Sequence, residues 1–101
     1  MLWADIQGDS KPEALIGAPG GPSYAGGLVE GLAGDFTIPY FSAWTQVAIY
    51  TDPTPNGAER FGYRLAAALR FGTVKLDVVI GAPNANIPGY TNAGEAFVFN
   101  N

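Results

Sequence analysis

The stretch RFGYRLAAALRFGTVKLDVVIGAP (60–83) decides the fold, because its ending is written twice in the chain. An earlier LIGAP (15–19) carries the same Ile-Gly-Ala-Pro as 80–83, and the two copies lie 64 positions apart. At that offset Gly8 meets Gly72, Lys11 meets Lys75, Glu13 meets Asp77 and Ile16 meets Ile80. After a four-residue shift, Ala25-Gly26 meets Ala93-Gly94. One unit therefore reads as strand, Gly-Ala-Pro turn, glycine-rich loop, Ala-Gly, strand. A period of about 60 residues with four strands per unit suits a propeller blade, and the shorter helical repeats lack this strand content. Chance similarity within a glycine-rich sandwich is the plainer alternative.

Around the repeat, 14 Gly and 8 Pro fall between short apolar runs, as turn residues do in an all-β protein. Six strands are predicted, at 14–16, 28–32, 44–51, 63–69, 76–80 and 96–99. WTQVAIYT (44–51) is the clearest, being rich in β-branched and aromatic residues. RLAAALR (64–70) holds three alanines, which favour helix. Gly62 and Gly72 bracket a run too short for an independent helix, so strand is preferred. The loop TDPTPNGAE (51–59) carries Pro and Asn-Gly turn signals.

Composition bounds what the chain can do. Its 101 residues make at most one small domain, and 48% hydrophobic residues make a packed core feasible. Only 14% are charged, below the usual quarter, which suggests that something else covers part of the apolar surface. The net charge of −4 disfavours nucleic acid and anionic membrane as partners. Residues 1–59 hold seven acids and only Lys11; the other four bases fall in 60–75. With no cysteine there is neither disulfide nor thiolate metal site, and with no histidine the commonest general base and most zinc sites are gone. No apolar run reaches the length of a membrane span, and MLWADIQGDSK (1–11) does not read as a signal peptide.

Phe61-Gly62, then Gly81-Ala82-Pro83, then NAGEAFVF (92–99) together resemble an FG-GAP repeat. Such repeats build the seven-bladed propellers of integrin α-subunits and related extracellular proteins. The middle of the chain, AWTQVAIYTDPTPNGAERFGYRL (43–65), is also similar to the propeller of glycosylphosphatidylinositol-specific phospholipases D. The resemblance implies an all-β fold of about two blades, incomplete without neighbouring blades. It divides the chain into a partial blade at 1–59, holding strands two to four, and another at 60–101, holding strands one to three. It places Phe-Gly on the innermost strand and Gly-Ala-Pro after the second, with Phe61 packed between blades. Gly allows backbones to crowd near a central channel, and Pro donates no further ladder bond. An inner strand is expected to be missing at one end and an outer strand at the other. The open edges then call for other blades, from further copies of this chain or from a longer chain.

One loop carries candidate chemistry. DIQGDSKPE (5–13) sets Asp5, Gln7, Asp9 and Glu13 at positions 1, 3, 5 and 9 of a nine-residue turn. The FG-GAP family often has a calcium loop there, of form D-x-[DN]-x-[DN]-G-x-x-D. Alternating oxygen ligands wrap a hard cation, with the backbone carbonyl of Lys11 at position 7. The resemblance thus implies one Ca²⁺ site. Gln7 in place of Asn or Asp, Ser10 in place of glycine and Glu13 in place of Asp depart from the pattern, and a solvated polar hairpin without metal is the plainer reading. The matching positions of the second unit are Leu69, Phe71, Thr73, Val74 and Asp77. One carboxylate does not hold calcium against water, so this loop reads as a metal-free variant braced by apolar residues.

Catalysis finds little support, because Ser10, Ser23 and Ser42 have no histidine to activate them. Tyr24 and Tyr90 fall in corresponding loops after Gly-Ala-Pro and are the candidate partner contacts, with capping of a blade edge as the alternative role. The function expected is a non-catalytic, extracellular or cell-surface segment serving structure, adhesion or protein–protein interaction, with a protein ligand. The alternatives are an accessory propeller segment of a phospholipase D-like hydrolase and a carbohydrate-binding propeller.

Overall fold

The computed structural model describes residues 1–20, 26–34, 44–53, 60–69, 74–87, 89–90 and 93–100. Within them the regular structure is all β. Seven strands form: β1 (Leu2–Ala4), β2 (Glu13–Ala18), β3 (Leu28–Gly34), β4 (Trp44–Thr51), β5 (Arg64–Leu69), β6 (Leu76–Ala82) and β7 (Glu95–Phe99). They make two antiparallel meanders, a four-stranded sheet β1-β2-β3-β4 and a three-stranded sheet β5-β6-β7. All six predicted strands are present, and RLAAAL is a strand, paired along its length with β6. Tertiary pairing overrides the helix propensity of its alanines.

Two expectations need correction. The first sheet has four strands among the described residues, not three, because Leu2–Ala4 pairs with β2 through Leu2–Leu15, Trp3–Ala14 and Ala4–Glu13. Three residues are too few to show alternation in sequence, and the partner supplies the order. Phe61-Gly62 does not lie on the innermost strand either. It forms the turn before β5, where Arg60 (φ 58°) and Gly62 (φ 93°) adopt left-handed backbone.

The internal repeat is present in the pairing itself. β1–β2 and β5–β6 have the same register at an offset of 64: Leu2–Leu15 matches Ala66–Val79, and Ala4–Glu13 matches Ala68–Asp77. β2–β3 and β6–β7 also coincide, at an offset of 67 for the second strand: Ile16–Glu30 matches Ile80–Phe97. Gly26 (φ 82°) and Gly94 (φ 83°) enter the third strands alike. Gly27 is an extra residue in the first unit, which accounts for the difference between the shift of the Ala-Gly pair and that of the strands.

The core lies between the sheets. Leu15, Val29 and Tyr50 of the first sheet and Val78, Ile80 and Ala82 of the second belong to one buried cluster. Phe61 is fully buried at its centre, with ring centroids 5.7 Å from Phe97 and 6.0 Å from Phe99. Its amide donates to the Gly26 carbonyl, tying the turn to the first sheet. Where the turn crosses β2 the backbones touch: a Cβ on Gly17 would lie 2.1 Å from the Gly62 carbonyl oxygen. The glycine of the first Gly-Ala-Pro is thus required by close approach.

Candidate functional site

The acidic loop is built by its own backbone. Asp5 follows β1 and Glu13 opens β2, so the strand pair holds both ends of residues 5–13. The Asp5 carboxylate accepts three amides: Gly8 (2.6 Å) and Asp9 (3.1 Å) at Oδ1, and Ser10 (2.7 Å) at Oδ2. Asp9 Oδ1 accepts the Lys11 amide at 3.0 Å. Glu13 Oε2 accepts the amides of Ile6 (2.8 Å) and Gln7 (3.2 Å). Gly8 (φ 74°) and Ser10 (φ 69°) turn the chain through left-handed conformations. Ser10 therefore adopts the conformation for which the calcium pattern uses glycine.

This folding brings Asp5, Asp9 and Glu13 together, with one carboxylate oxygen of each within 4.8 Å of the others. Two oxygens on one calcium ion, each at 2.3–2.6 Å, stand at most about 5.2 Å apart, so the spacing fits a shared hard cation. Gln7 and Lys11 are exposed on the same loop, and their amides belong to the network just described. Glu13 is only 1% exposed. Burial pushes its carboxyl above the usual 4.5; the Ile6 and Gln7 amides oppose this, and the nearby charges of Asp9 and Asp5 add to it.

The loop also touches the second unit. The Leu76 amide donates to the Asp5 carbonyl at 3.2 Å, and Val74 and Lys75 side-chain carbons crowd Gly8. In the second unit, Asp77 is buried as Glu13 is, whereas Leu69 and Val74 are 64% and 75% exposed. Those two side chains therefore do not brace their loop by burial, contrary to expectation; Phe71 and Thr73 lie outside the described residues. Tyr90 is 68% exposed, on a turn closed by reciprocal Ile87–Tyr90 backbone bonds. Tyr24 lies outside the described residues.

Sequence reasoning did not identify two surface features. Arg60 and Arg64 flank the Tyr63 ring, 4.9 and 5.8 Å from its centroid. On the face of the first sheet turned away from the core, Trp3 and Trp44 stand 6.0 Å apart. With Met1, Ala14, Ile16 and Leu32 they line an apolar hollow of about 220 Å³. The low charge content signalled covered apolar surface; strand register was needed to locate it. No family model, curated protein or solved structure matches the chain.

Proposed function

We propose that this chain is a non-catalytic segment of stacked β-sheets, two successive blades of an FG-GAP type propeller, that acts by surface contact in an extracellular or cell-surface setting. The repeated register carries this reading: both units pair their strands in one pattern, and each Gly-Ala-Pro closes the second strand of its sheet. Support also comes from Phe61, buried where the two units meet. A self-contained two-sheet sandwich would turn polar residues outward along each strand. Here Trp3, Ile16, Trp44, Ile49 and Val98 are exposed on the outward faces.

Within this reading the acidic loop is a calcium staple of the first unit, with Asp5, Asp9 and Glu13 supplying the carboxylates and Gln7 and the Lys11 carbonyl completing the set. The ion would offset the repulsion of three carboxylates beside the junction of the units. The second unit has only Asp77 at the matching positions. Tyr24 and Tyr90 are the proposed contacts for a protein ligand.

Tandem fusion tests the stacking. In a stacked array each added unit gains a neighbour interface, so stability rises with copy number. Two and three copies joined by a flexible linker are expected to melt at successively higher temperature than one. Equal melting for one, two and three copies would refute the reading and favour a closed sandwich.

A further inference from the structure

The repeat relates the two sheets in a way that leaves each, among the described residues, with an unsatisfied half of the same interface. Inside the chain, the Leu15 face of the first sheet meets the Ile80 face of the second. By register, Leu15 is equivalent to Val79 and Ile80 to Ile16. Neighbouring residues of a strand point to opposite faces, so Val79 and Ile16 lie on the faces turned away from the core. The free face of the first sheet is therefore the equivalent of the surface that Ile80 presents. The free face of the second sheet is the equivalent of the surface that Leu15 presents.

Their chemistry agrees with those origins. Ile16 is 39% exposed, whereas Ile80 in the formed interface is fully buried. The free face of the first sheet adds the two tryptophans, together with Glu30, which accepts a hydrogen bond from Gln46 Nε2 at 2.6 Å. The free face of the second sheet is low and largely apolar: Ala66, Ala68 and Ala96 are exposed and Val98 is 63% exposed, with Arg64 at one margin and buried Asp77, paired with Ala68, toward the other. A large-residue surface thus faces one way and a small-residue surface the other, with Glu30 on the first and, on the second, Arg64 exposed and Asp77 buried, so that the outermost charges of the two are of opposite sign.

We infer that a second copy of this chain docks head-to-tail, its Ala66–Val98 face on the Ile16–Trp44 face of the first, in the face-to-face order of the interface already formed within each chain. This rests on the stacked-sheet reading above. The contact is heterologous, so it closes into a ring or extends as a filament according to the rotation per unit.

Light scattering over a concentration series, on the wild-type chain and two surface variants, tests it. Ile16→Glu and Val98→Glu each place a charge on one free face and leave the core residues in place; circular dichroism and a melt confirm folding. The wild type is expected to rise several-fold above its 10.6 kDa with concentration, either to a plateau (a ring) or without limit (a filament). Each variant alone is expected at single-chain mass. An equimolar mixture is expected to form two-chain particles, because each variant retains the face that the other lacks. A wild type of single-chain mass throughout would overturn the inference. So would a Val98→Glu variant that still self-associates, since that means like faces pairing. If the single chain stays monomeric while tandem copies gain stability, docking of separate copies fails and the stacking reading stands; if neither occurs, both fail.

Discussion

Gly17 and Gly81 occupy the same place in the repeat, yet substitution by alanine is expected to divide them sharply. Both precede the Ala-Pro of their motif, and both sit near the end of the second strand of their sheet. A Cβ on Gly17 would come 2.1 Å from the Gly62 carbonyl oxygen and 3.1 Å from its carbon. A Cβ on Gly81 would meet Arg64 Cβ at 3.5 Å and its carbonyl oxygen at 3.7 Å, which is ordinary contact. The obstacle at Gly17 is backbone held in place, since Gly62 donates to Gly81 and Phe61 to Gly26. Reaching a normal separation of about 3.5 Å means parting the junction by more than ~1 Å. Overpacking of this kind costs about 1–3 kcal/mol, and Gly→Ala returns about 0.4–1 kcal/mol through the unfolded chain where the site accepts it. Gly17→Ala should therefore lose about 2 kcal/mol, while Gly81→Ala should be neutral or gain about 0.5 kcal/mol. For a domain of this size the pair should separate by about 10–20 °C in Tm. Urea unfolding followed by circular dichroism in dilute solution, where chains are single, measures it as a shift of midpoint at constant slope. Equal stability of the two variants would refute the junction as described.

Phe61→Ala should cost about 3–5 kcal/mol, since a fully buried ring is removed; a loss below 1 kcal/mol in the same denaturation assay would place the ring outside the core. With a chelator present, the raised Glu13 carboxyl favours the protonated form in the folded state. Its contribution to stability is therefore best below the unfolded value near 4.5 and falls as pH rises through the folded value. Glu13→Gln keeps an acceptor for the Ile6 and Gln7 amides and should flatten that slope in a pH series of melts; an unchanged slope would assign it to another group. Ser10→Gly should stabilise by about 0.5–1 kcal/mol, because glycine adopts the positive φ of this position without the Cβ penalty; a destabilised variant would show that the hydroxyl outweighs the backbone. Calcium should raise Tm, a chelator should reverse the rise, and Asp9→Ala should abolish it while leaving the chelated Tm nearly unchanged; a calcium response that survives Asp9→Ala would remove the staple from this loop.

What sequence revealed and what it hid both follow from the range of the interactions involved. Glycine and proline act locally, so six of the seven strands among the described residues were legible, and WTQVAIYT was delimited to the residue; most of the turn predicted at 51–59 lies outside the described residues. The Gly-Ala-Pro repeat gave the equivalence of the sheets, which pairing then reproduced. Leu2–Ala4 was hidden because three residues carry no periodicity and owe their order to Leu15 and Ala14 across the sheet. The spacing of Asp5, Asp9 and Glu13 announced a carboxylate cluster. The burial of Glu13 and the convergence of three amides on Asp5 depend on the strand pair closing the loop, which composition does not encode. The apolar outward faces were implied by the low charge content, but assigning Ile16 to one and Val98 to the other required register.

The placing of the acidic loop also bears on why only one unit carries it. Its Asp5 carbonyl receives the Leu76 amide, and Gly8 lies against Val74 and Lys75, so the first unit's loop rests on the start of β6 in the second. In the second unit the matching carboxylate, Asp77, pairs across from Ala68 on the face turned away from the core. A charged, cation-dependent loop at every junction would make each interface conditional on calcium. On the proposed reading, restricting three carboxylates to one of the two units would give calcium its place at the interface inside each chain, where the loop meets β6. By the offset of 64, Val74 and Lys75 correspond to Ser10 and Lys11, so the same loop would also border the contact between copies, beside the Ile16 and Val98 faces.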